Sequence, residues 1–204
     1  VKSRQIATIA ALTTLGNAKP QLKFHIDAAL NIGITPAQVI EVIYITTIFA
    51  GFPAGLNGIS AAGAVFEDRG VAVEIKEPFY EKGSRRERGL QALALTSANS
   101  GQTVLDSLKD IAPDMGKFIL DFSYGDVISR KIISPKWKEI AMISSAIARG
   151  NMQPQLKVHL KAALNVGCSR QEIIETIYQM AVYAGFPAAL NGLSAAREVF
   201  KAAK

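Results

Sequence analysis

The chain has 204 residues, of which 49% are hydrophobic and 20% are charged, and its formal net charge is +6. This balance excludes a disordered chain and fits one large or two small globular domains. Aromatic residues make up only 7% and no basic stripe alternates with them, so the mild positive charge does not indicate nucleic-acid binding. The single cysteine, Cys168, excludes a disulfide within the chain, and we expect a protein of the reducing cytoplasm.

The first elements of the chain belong to an internal repeat. Residues 5–66 align with residues 139–200, and about half of the aligned positions are identical. The chain therefore holds two copies of one unit, and the spacing of apolar residues predicts four helices in each copy. In the first copy, Thr35 and Gln38 form a predicted capping box at the start of the third helix.

The most apolar window of the chain, residues 39–56, follows this cap. It contains Glu41 and is interrupted by Gly51 and Pro53. A charged residue and two helix-breaking residues are unfavourable in a membrane span. The window therefore predicts a buried helix, a break and the start of a fourth helix.

Residues 67–133 have no counterpart in the first copy. They begin with a predicted loop from Glu74 to Gly83, and helices are predicted near 85–97, 101–111 and 114–124. This segment resembles the front of a second unit. We expect the first copy to have a similar front that would precede Val1.

The second copy repeats the four-helix pattern. Ser134 is a predicted N-cap for a helix that ends at Gly150, and the next helix runs from near Pro154 to Gly167. A capping box at Ser169 to Glu172 opens the third helix, over about 170–184. The fourth helix starts near Pro187, and no strand is predicted.

The only two histidines, His25 and His159, occupy the same position in the two copies. They lie in "PQLKFHIDAALNIG" (20–33) and "PQLKVHLKAALNVG" (154–167). Each falls on a largely apolar helix face, so one interpretation is a core histidine that packs and makes a single hydrogen bond. Both copies retain the residue although they differ at about half their positions, which favours proton transfer, because histidine titrates near neutral pH.

Several separated motifs together resemble the carboxymuconolactone decarboxylase family. They are the two histidine segments, "ERGLQAL" (87–93), "DIAPDMGKFILDFSYGDVISR" (110–130), "KWKEIAMISSAIARG" (136–150) and the paired "AGFPAGLNGISAA" (50–62) and "AGFPAALNGLSAA" (184–196). The resemblance implies an all-α, internally duplicated, alkylhydroperoxidase-D-like helical bundle that assembles into homo-oligomers such as a trimer. It also implies a first unit over residues 1–70 that lacks its front, a linker over 71–84 and a complete second unit over 85–204.

The redox branch of that superfamily carries C-x-x-C-x-x-x-H on one helix and a glutamate on the helix before it. The histidine of this motif falls on His25 and His159, and its glutamate falls on Glu139 in the second copy but on Gln5 in the first. None of the positions of the two cysteines holds a thiol; they fall on Ala18, Gln21, Met152 and Gln155. A dithiol mechanism is therefore excluded, and we expect His159 and Glu139 to carry the chemistry, with His25 as a further catalytic candidate.

Other polar residues recur near the predicted core. Glu41 and Glu175 are shared by the copies, and each either forms a structural ion pair or acts as a second acid–base group. Asn57 and Asn191 are also shared, and either cap a backbone or contact a bound carboxylate. Lys138 is a candidate for holding an anionic substrate, and the five residues together form the predicted substrate-binding set.

The resemblance implies a decarboxylase that acts without a cofactor on a small, anionic, unsaturated lactone acid. A conjugated lactone carbonyl can accept the electron pair that carbon dioxide leaves behind, and a histidine can supply the proton. No metal site is expected, since the two histidines lie in separate copies without ligand spacing. Two alternatives stay open: a peroxiredoxin-like or alkylhydroperoxidase-like redox protein that uses Cys168, and a non-catalytic, ligand-binding helical oligomer.

Overall fold

The computed structural model describes residues 1–75, 77, 79–97 and 99–203, and for residues 99–101 the backbone only. These residues form eleven α-helices and one π-helix, and no strand occurs among them. The all-α prediction is confirmed. The helices are Lys2–Leu15 (α1), Lys19–Asn31 (α2), Pro36–Ala50 (α3), Phe52–Arg69 (α4), Arg85–Ser97 (α5), Asn99–Ser107 (α6), Pro113–Lys117 (α7), the π-helix Phe118–Ile128, Pro135–Arg149 (α8), Gln153–Asn165 (α9), Arg170–Ala184 (α10) and Phe186–Ala202 (α11).

The ends of the repeated helices follow the capping residues that the sequence indicates. Thr35 and Ser169 both form complete capping boxes, at the starts of α3 and α10. The hydroxyl of Ser134 accepts a hydrogen bond from the amide of Trp137 at 3.3 Å, which caps α8. These bonds satisfy amide groups that a helix start otherwise leaves unpaired.

The two copies pack against each other reciprocally. Helix α1 packs against α8, α1 also contacts α10, and α8 contacts the equivalent helix α3 of the other copy. The core between them is formed by buried isoleucine and alanine side chains, including Ile9 and Ile143 at equivalent positions. Burial of this apolar surface is the main term that holds the copies together. No helix among the described residues is long and apolar enough to cross a membrane.

The segment between the copies packs its helices closely. A Cβ at Gly89 of α5 would lie 2.3 Å from the carbonyl oxygen of Leu120, and one at Gly125 would lie 2.3 Å from that of Arg85. Only glycine permits this backbone approach. It places the π-helix directly against α5, and both elements then reach the side of α9 that carries His159.

Two helix predictions in this segment need correction. The helix predicted over 101–111 is α6, which ends at Ser107, where the amides of Leu108 and Lys109 turn back to carbonyls three residues earlier. The helix predicted over 114–124 begins at Pro113 but continues to Ile128, and most of it is a π-helix. The predicted loop from Glu74 to Gly83 lies partly outside the described residues.

One buried ion pair joins the first copy to this segment. The Nε of Arg130, just after the π-helix, donates to Oε2 of Glu41 on α3 at 2.8 Å. The Glu41 side chain is 1% exposed and its Oε1 has no hydrogen-bond partner among the described residues. The guanidinium also lies over the ring of Phe79, with its carbon 4.4 Å from the ring centroid. Glu41 therefore has the structural role that the sequence left open.

Candidate active site

The centre of the site is a buried pair formed by His159 of α9 and Glu139 of α8. Nδ1 of His159 lies 2.9 Å from Oε2 of Glu139, and the residues are 9% and 0% exposed, respectively. Because a carboxylate oxygen accepts, Nδ1 carries the proton of this bond. Nε2 of His159 is then the nitrogen left for chemistry, and no described residue forms a hydrogen bond with it. The pairing that the motif suggested is therefore present in the second copy.

His159 lines a cavity of about 560 Å³. Its walls come from α5, α6, the π-helix, α8 and α9, and two further side chains, Ile48 and Phe49, come from α3 of the first copy. The polar residues besides His159 are few: Ser97, Ser123, Tyr124, Asn151 and Gln155. The cavity is of the size and apolar character of small-molecule sites.

The π-helix supplies two of these polar side chains, which sequence reasoning missed. Ser123 and Tyr124 of the π-helix both line this cavity, and π-helical turns are frequent at functional sites. Burial raises the pKa of Tyr124 above its usual value, while hydrogen bonds to Ser97 and Thr96 act against this shift. The phenol therefore stays protonated and can donate a hydrogen bond. Tyr124 has no counterpart in the first copy, so the repeat gave no signal for this role.

The equivalent site of the first copy is built differently. Nδ1 of His25 lies 3.0 Å from Oε1 of Gln5, and the hydroxyl of Tyr183 lies 3.0 Å from its Nε2. Since the amide oxygen only accepts, Nδ1 of His25 donates to it and Nε2 accepts from Tyr183. Burial lowers the pKa of His25. Both nitrogens of this ring are therefore occupied, and the neighbouring group is neutral.

Tyr183 and Phe49 occupy equivalent positions of the repeat, and each lies against the histidine of the other copy. Tyr183 of the second copy lies edge-on to His25, with ring centroids 5.3 Å apart, and Phe49 of the first copy lies edge-on to His159 at 5.2 Å. Phe49 has no hydroxyl, so Nε2 of His159 lacks the hydrogen bond that Tyr183 gives to Nε2 of His25. Each copy thus completes the histidine site of the other.

The model of the carboxymuconolactone decarboxylase family matches residues 1–64 and 113–198, in two segments that fit tandem units. The chain belongs to this family. Among its relatives is the 4-carboxymuconolactone decarboxylase of Acinetobacter baylyi, 34% identical over 97 residues that cover 48% of this chain and 72% of that protein. Helices α5 and α6 of this family member lie outside the two matched segments.

Two further comparisons extend over more of the chain. Peroxisomal protein 2 of Schizosaccharomyces pombe is 27% identical over 143 residues, which are 66% of this chain and 62% of that protein. This chain thus spans less than two thirds of the fungal protein. A chain from Burkholderia xenovorans LB400, assigned as a gamma-carboxymuconolactone decarboxylase subunit, has a TM-score of 0.59 and 23% identity and covers 99% of this chain and 77% of its own. That similarity shows the shared fold.

Lys138 of this family member lies next to the pair but does not line the cavity of His159. Its Nζ donates to the carbonyl oxygen of Ile128 at 2.7 Å and to that of Arg130. Burial lowers the pKa of Lys138 to about 8, although the carboxylates of Glu41 and Glu139 favour its charged form. Lys138 instead lines a neighbouring cavity of about 580 Å³. That Lys138 holds a substrate anion therefore stays a prediction, and its ammonium is bound by backbone carbonyl groups in this structure.

The other predicted substrate-binding residues also lie away from the cavity of His159. Burial raises the pKa of Glu41, which is held by Arg130. Glu175 pairs with Arg4 at 3.2 Å on the surface, and Asn57 and Asn191 are exposed on α4 and α11. The described residues contain no group of three or more His, Cys, Asp or Glu side chains placed to hold a metal ion.

Cys168 lies in the core between α9 and α10 and is 5% exposed. Burial raises the pKa of its thiol to about 11, so at pH 8 only about one molecule in a thousand carries the thiolate. We expect iodoacetamide to leave Cys168 unmodified in the native protein at pH 8 and to alkylate it completely in denaturant, as measured by intact-mass spectrometry. Rapid labelling of the native protein would contradict this structural role.

Proposed function

We propose that the protein is a decarboxylase that acts without a cofactor on a small unsaturated lactone acid, with His159 as general acid. The observation that carries the proposal is the 2.9 Å bond between Nδ1 of His159 and Glu139, which leaves Nε2 without a described partner on a side chain that lines a cavity of about 560 Å³. A buried carboxylate that orients an imidazole is a recurrent arrangement for proton transfer.

The proposed reaction takes up one proton and releases one molecule of carbon dioxide. The bond between the substrate carbon and its carboxylate breaks, and carbon dioxide leaves. The electron pair of that bond moves into the conjugated lactone, which becomes an enolate. Nε2 of His159 then donates its proton to carbon, and the imidazole recovers a proton from water. The negative charge of Glu139 stabilises the imidazolium before the transfer.

The cavity also supplies donors for the enolate oxygen. The side chains of Ser123 and Tyr124 line the cavity together with His159, and the phenol of Tyr124 is hydrogen-bonded to Ser97 and Thr96. Donors held in place at a developing negative charge lower the barrier because they need no reorganisation during the reaction. The apolar remainder of the wall favours loss of charge from a carboxylate, since decarboxylation disperses that charge.

The first copy serves as a wall of the site in this proposal and has no chemistry of its own. His25 is paired with neutral Gln5 and its Nε2 is occupied by Tyr183. Ile48 and Phe49 of the same copy line the cavity of the second copy. Catalysis is therefore assigned to His159 and Glu139, and His25 is assigned a packing role.

The proposal is tested by incubating the protein with a panel of small unsaturated lactone acids and measuring the release of carbon dioxide. In deuterated water the product should carry one deuterium at the carbon that lost the carboxylate or at its conjugated position. Binding of these acids in the cavity without any carbon dioxide release would contradict the proposal and favour the ligand-binding alternative. The redox alternative has little support, because Cys168 is buried and its pKa is raised.

Single substitutions at Phe49 and Tyr183 give a further prediction. In Phe49→Tyr, the new hydroxyl should donate to Nε2 of His159, as Tyr183 does to His25 at 3.0 Å. Occupation of the reactive nitrogen is expected to lower kcat/KM by about tenfold, the equivalent of one hydrogen bond that must break before turnover. Steady-state kinetics measure the effect. The matched variant Tyr183→Phe should leave kcat/KM unchanged, and equal losses in both variants would contradict the assignment.

A further inference from the structure

The second cavity, of about 580 Å³, carries a lysine that the proposed function does not use. Its walls come from α5, from the residues between the π-helix and α8, and from the first turns of α8. Lys138 lines this cavity although the residue is only 7% exposed. The volume is sufficient for a small organic molecule. A buried amine on the wall of such a space is a candidate reactive group.

The amine of Lys138 has two hydrogen-bond partners among the described residues, and both are backbone carbonyl groups. Nζ donates to the carbonyl oxygen of Ile128 at 2.7 Å and to that of Arg130. An ammonium has three N–H groups, whereas a neutral amine has two N–H groups and a lone pair. Loss of the third proton therefore breaks neither of these bonds and leaves a lone pair on the nitrogen.

The charges around the amine favour this neutral form. Burial lowers the pKa of Lys138 to about 8 and the charge of Arg130 acts in the same direction, while the carboxylates of Glu41 and Glu139 oppose the shift. Both carboxylates have closer partners, since Glu41 is bound by Arg130 at 2.8 Å and Glu139 by His159 at 2.9 Å. At pH 7 about one molecule in ten then carries the neutral amine, against about one in 2,500 for a lysine with the ordinary pKa of about 10.4.

The other charged side chains on the wall are paired with each other or with a neighbour. Lys131 forms an ion pair with Glu81, and Arg88 lies 3.7 Å from a carboxylate oxygen of Asp126. None of these groups forms a hydrogen bond or an ion pair with the amine of Lys138. They therefore leave the amine as the reactive nitrogen of this cavity.

The first copy has a different group at the equivalent position. Arg4 is the repeat equivalent of Lys138, and it pairs at 3.2 Å with Glu175, the equivalent of Glu41. A guanidinium stays protonated at any physiological pH and is not a nucleophile. Of the two equivalent positions, only that of Lys138 therefore holds an amine that can react.

We propose that Lys138 is a nucleophile that forms an imine with a small aldehyde or ketone bound in this second cavity. The lone pair of Nζ attacks the carbonyl carbon, and a C–N bond forms while the carbonyl oxygen takes up a proton. That oxygen then leaves as water with the two hydrogens of the amine, and a C=N bond replaces the C=O bond. Glu139 lines the same cavity, and its Oε1, which has no hydrogen-bond partner among the described residues, suits the transfer of these protons.

Reductive trapping of the native protein tests this inference. The protein is incubated at pH 7 with a limiting amount of propanal and with sodium cyanoborohydride, which reduces an imine to a stable amine, and peptide mass spectrometry locates the adducts. We expect Lys138 to be propylated at least about tenfold faster than the exposed Lys161, because its neutral fraction is larger. Propylation of Lys138 no faster than that of Lys161 would overturn the inference.

A pH profile separates a reactive amine from one that is merely accessible. Trace acetylation by acetic anhydride between pH 6 and pH 10 measures the neutral fraction of each lysine. The rate at Lys138 should level off above about pH 8, whereas a lysine with the ordinary pKa gains reactivity up to about pH 10. A rate at Lys138 that still rises tenfold per pH unit above pH 9 would contradict the inference.

The matched variant is Lys138→Arg, which keeps the charge and uses the residue of the first copy. It should leave the propylation of Lys161 unchanged and remove the rapid adduct from the peptide that contains residue 138. A rapid adduct elsewhere in that peptide would overturn the assignment to Lys138. These tests follow covalent labelling in a cavity separate from that of His159, so the absence of carbon dioxide release from lactone acids would contradict the proposed function and leave this inference standing.

Discussion

Replacement of His159 by asparagine is expected to lower kcat/KM for carbon dioxide release by roughly 10²–10⁴, the usual contribution of a positioned general acid. The amide nitrogen of asparagine can take the place of Nδ1 and keep a hydrogen bond to Glu139, which is 0% exposed. The group at Nε2 that delivers the proton is lost. Turnover of the best lactone acid of the panel measures the effect, and the melting temperature should change little.

The repeat provides the control for this variant. His25→Asn makes the same substitution at the equivalent position, where the ring bridges Gln5 and Tyr183. It should cost stability, because the bond to Tyr183 is lost, and leave turnover per folded molecule unchanged. Equal losses of turnover in the two variants would show that both copies are active. A large drop in melting temperature with unchanged turnover in His159→Asn would favour the packing interpretation of the histidine.

Replacement of Arg130 by methionine is expected to lower the free energy of unfolding by about 3–5 kcal/mol, because it leaves a buried carboxylate without its partner. The side chains of Arg130 and Glu41 are 10% and 1% exposed, so water cannot compensate for the lost ion pair. Urea denaturation followed by circular dichroism measures the change. Arg4→Met is the matched control, since Arg4 pairs on the surface with Glu175, the repeat equivalent of Glu41, and exposed pairs contribute little.

The loss in Arg130→Met should depend on pH. Burial raises the pKa of Glu41, and Arg130 is the first of the groups that act against this shift. Without the guanidinium the pKa rises further, so the folded variant holds a proton that the unfolded chain releases. Its stability is then highest below the pKa of the unfolded chain and falls as the pH rises through the raised pKa. A loss that is equal at low and neutral pH, or a double variant with Glu41→Gln that is no more stable, would argue against this account.

Most of the fold prediction rested on the internal repeat and on the helix-capping residues. Thr35 and Ser169 close helix ends through local bonds within three residues, so their effect is visible in the sequence. The pairing of His159 with Glu139 followed from the family motif in the same way. A helix near residues 114–124 was predicted, but its π-helical winding and its continuation to Ile128 were not, because the α-helical period is the only helical pattern sought in the sequence.

The parts of the site that were missed depend on contacts between distant segments. Phe49 lies far from His159 in sequence and reaches it only because α3 packs against α8. Glu41 looked like a site residue because it recurs in both copies, yet Arg130, which has no counterpart in the repeat, binds it. Lys138 is adjacent to Glu139 in sequence, but its ammonium is bound by the carbonyl oxygens of Ile128 and Arg130, which come from the segment before α8.

The crossing of Phe49 and Tyr183 has a consequence for how such a protein diverges. In an assembly of separate identical chains, a single codon specifies both residues, and a hydroxyl gained at one histidine is gained at all of them. With both units on one polypeptide, the codons for Phe49 and Tyr183 mutate independently. One half can therefore lose its reactive histidine site and keep only a structural role, while the other half keeps its cavity. The surroundings of His159 then depend on Ile48 and Phe49 of the other half, so the second half by itself would lack part of its cavity wall.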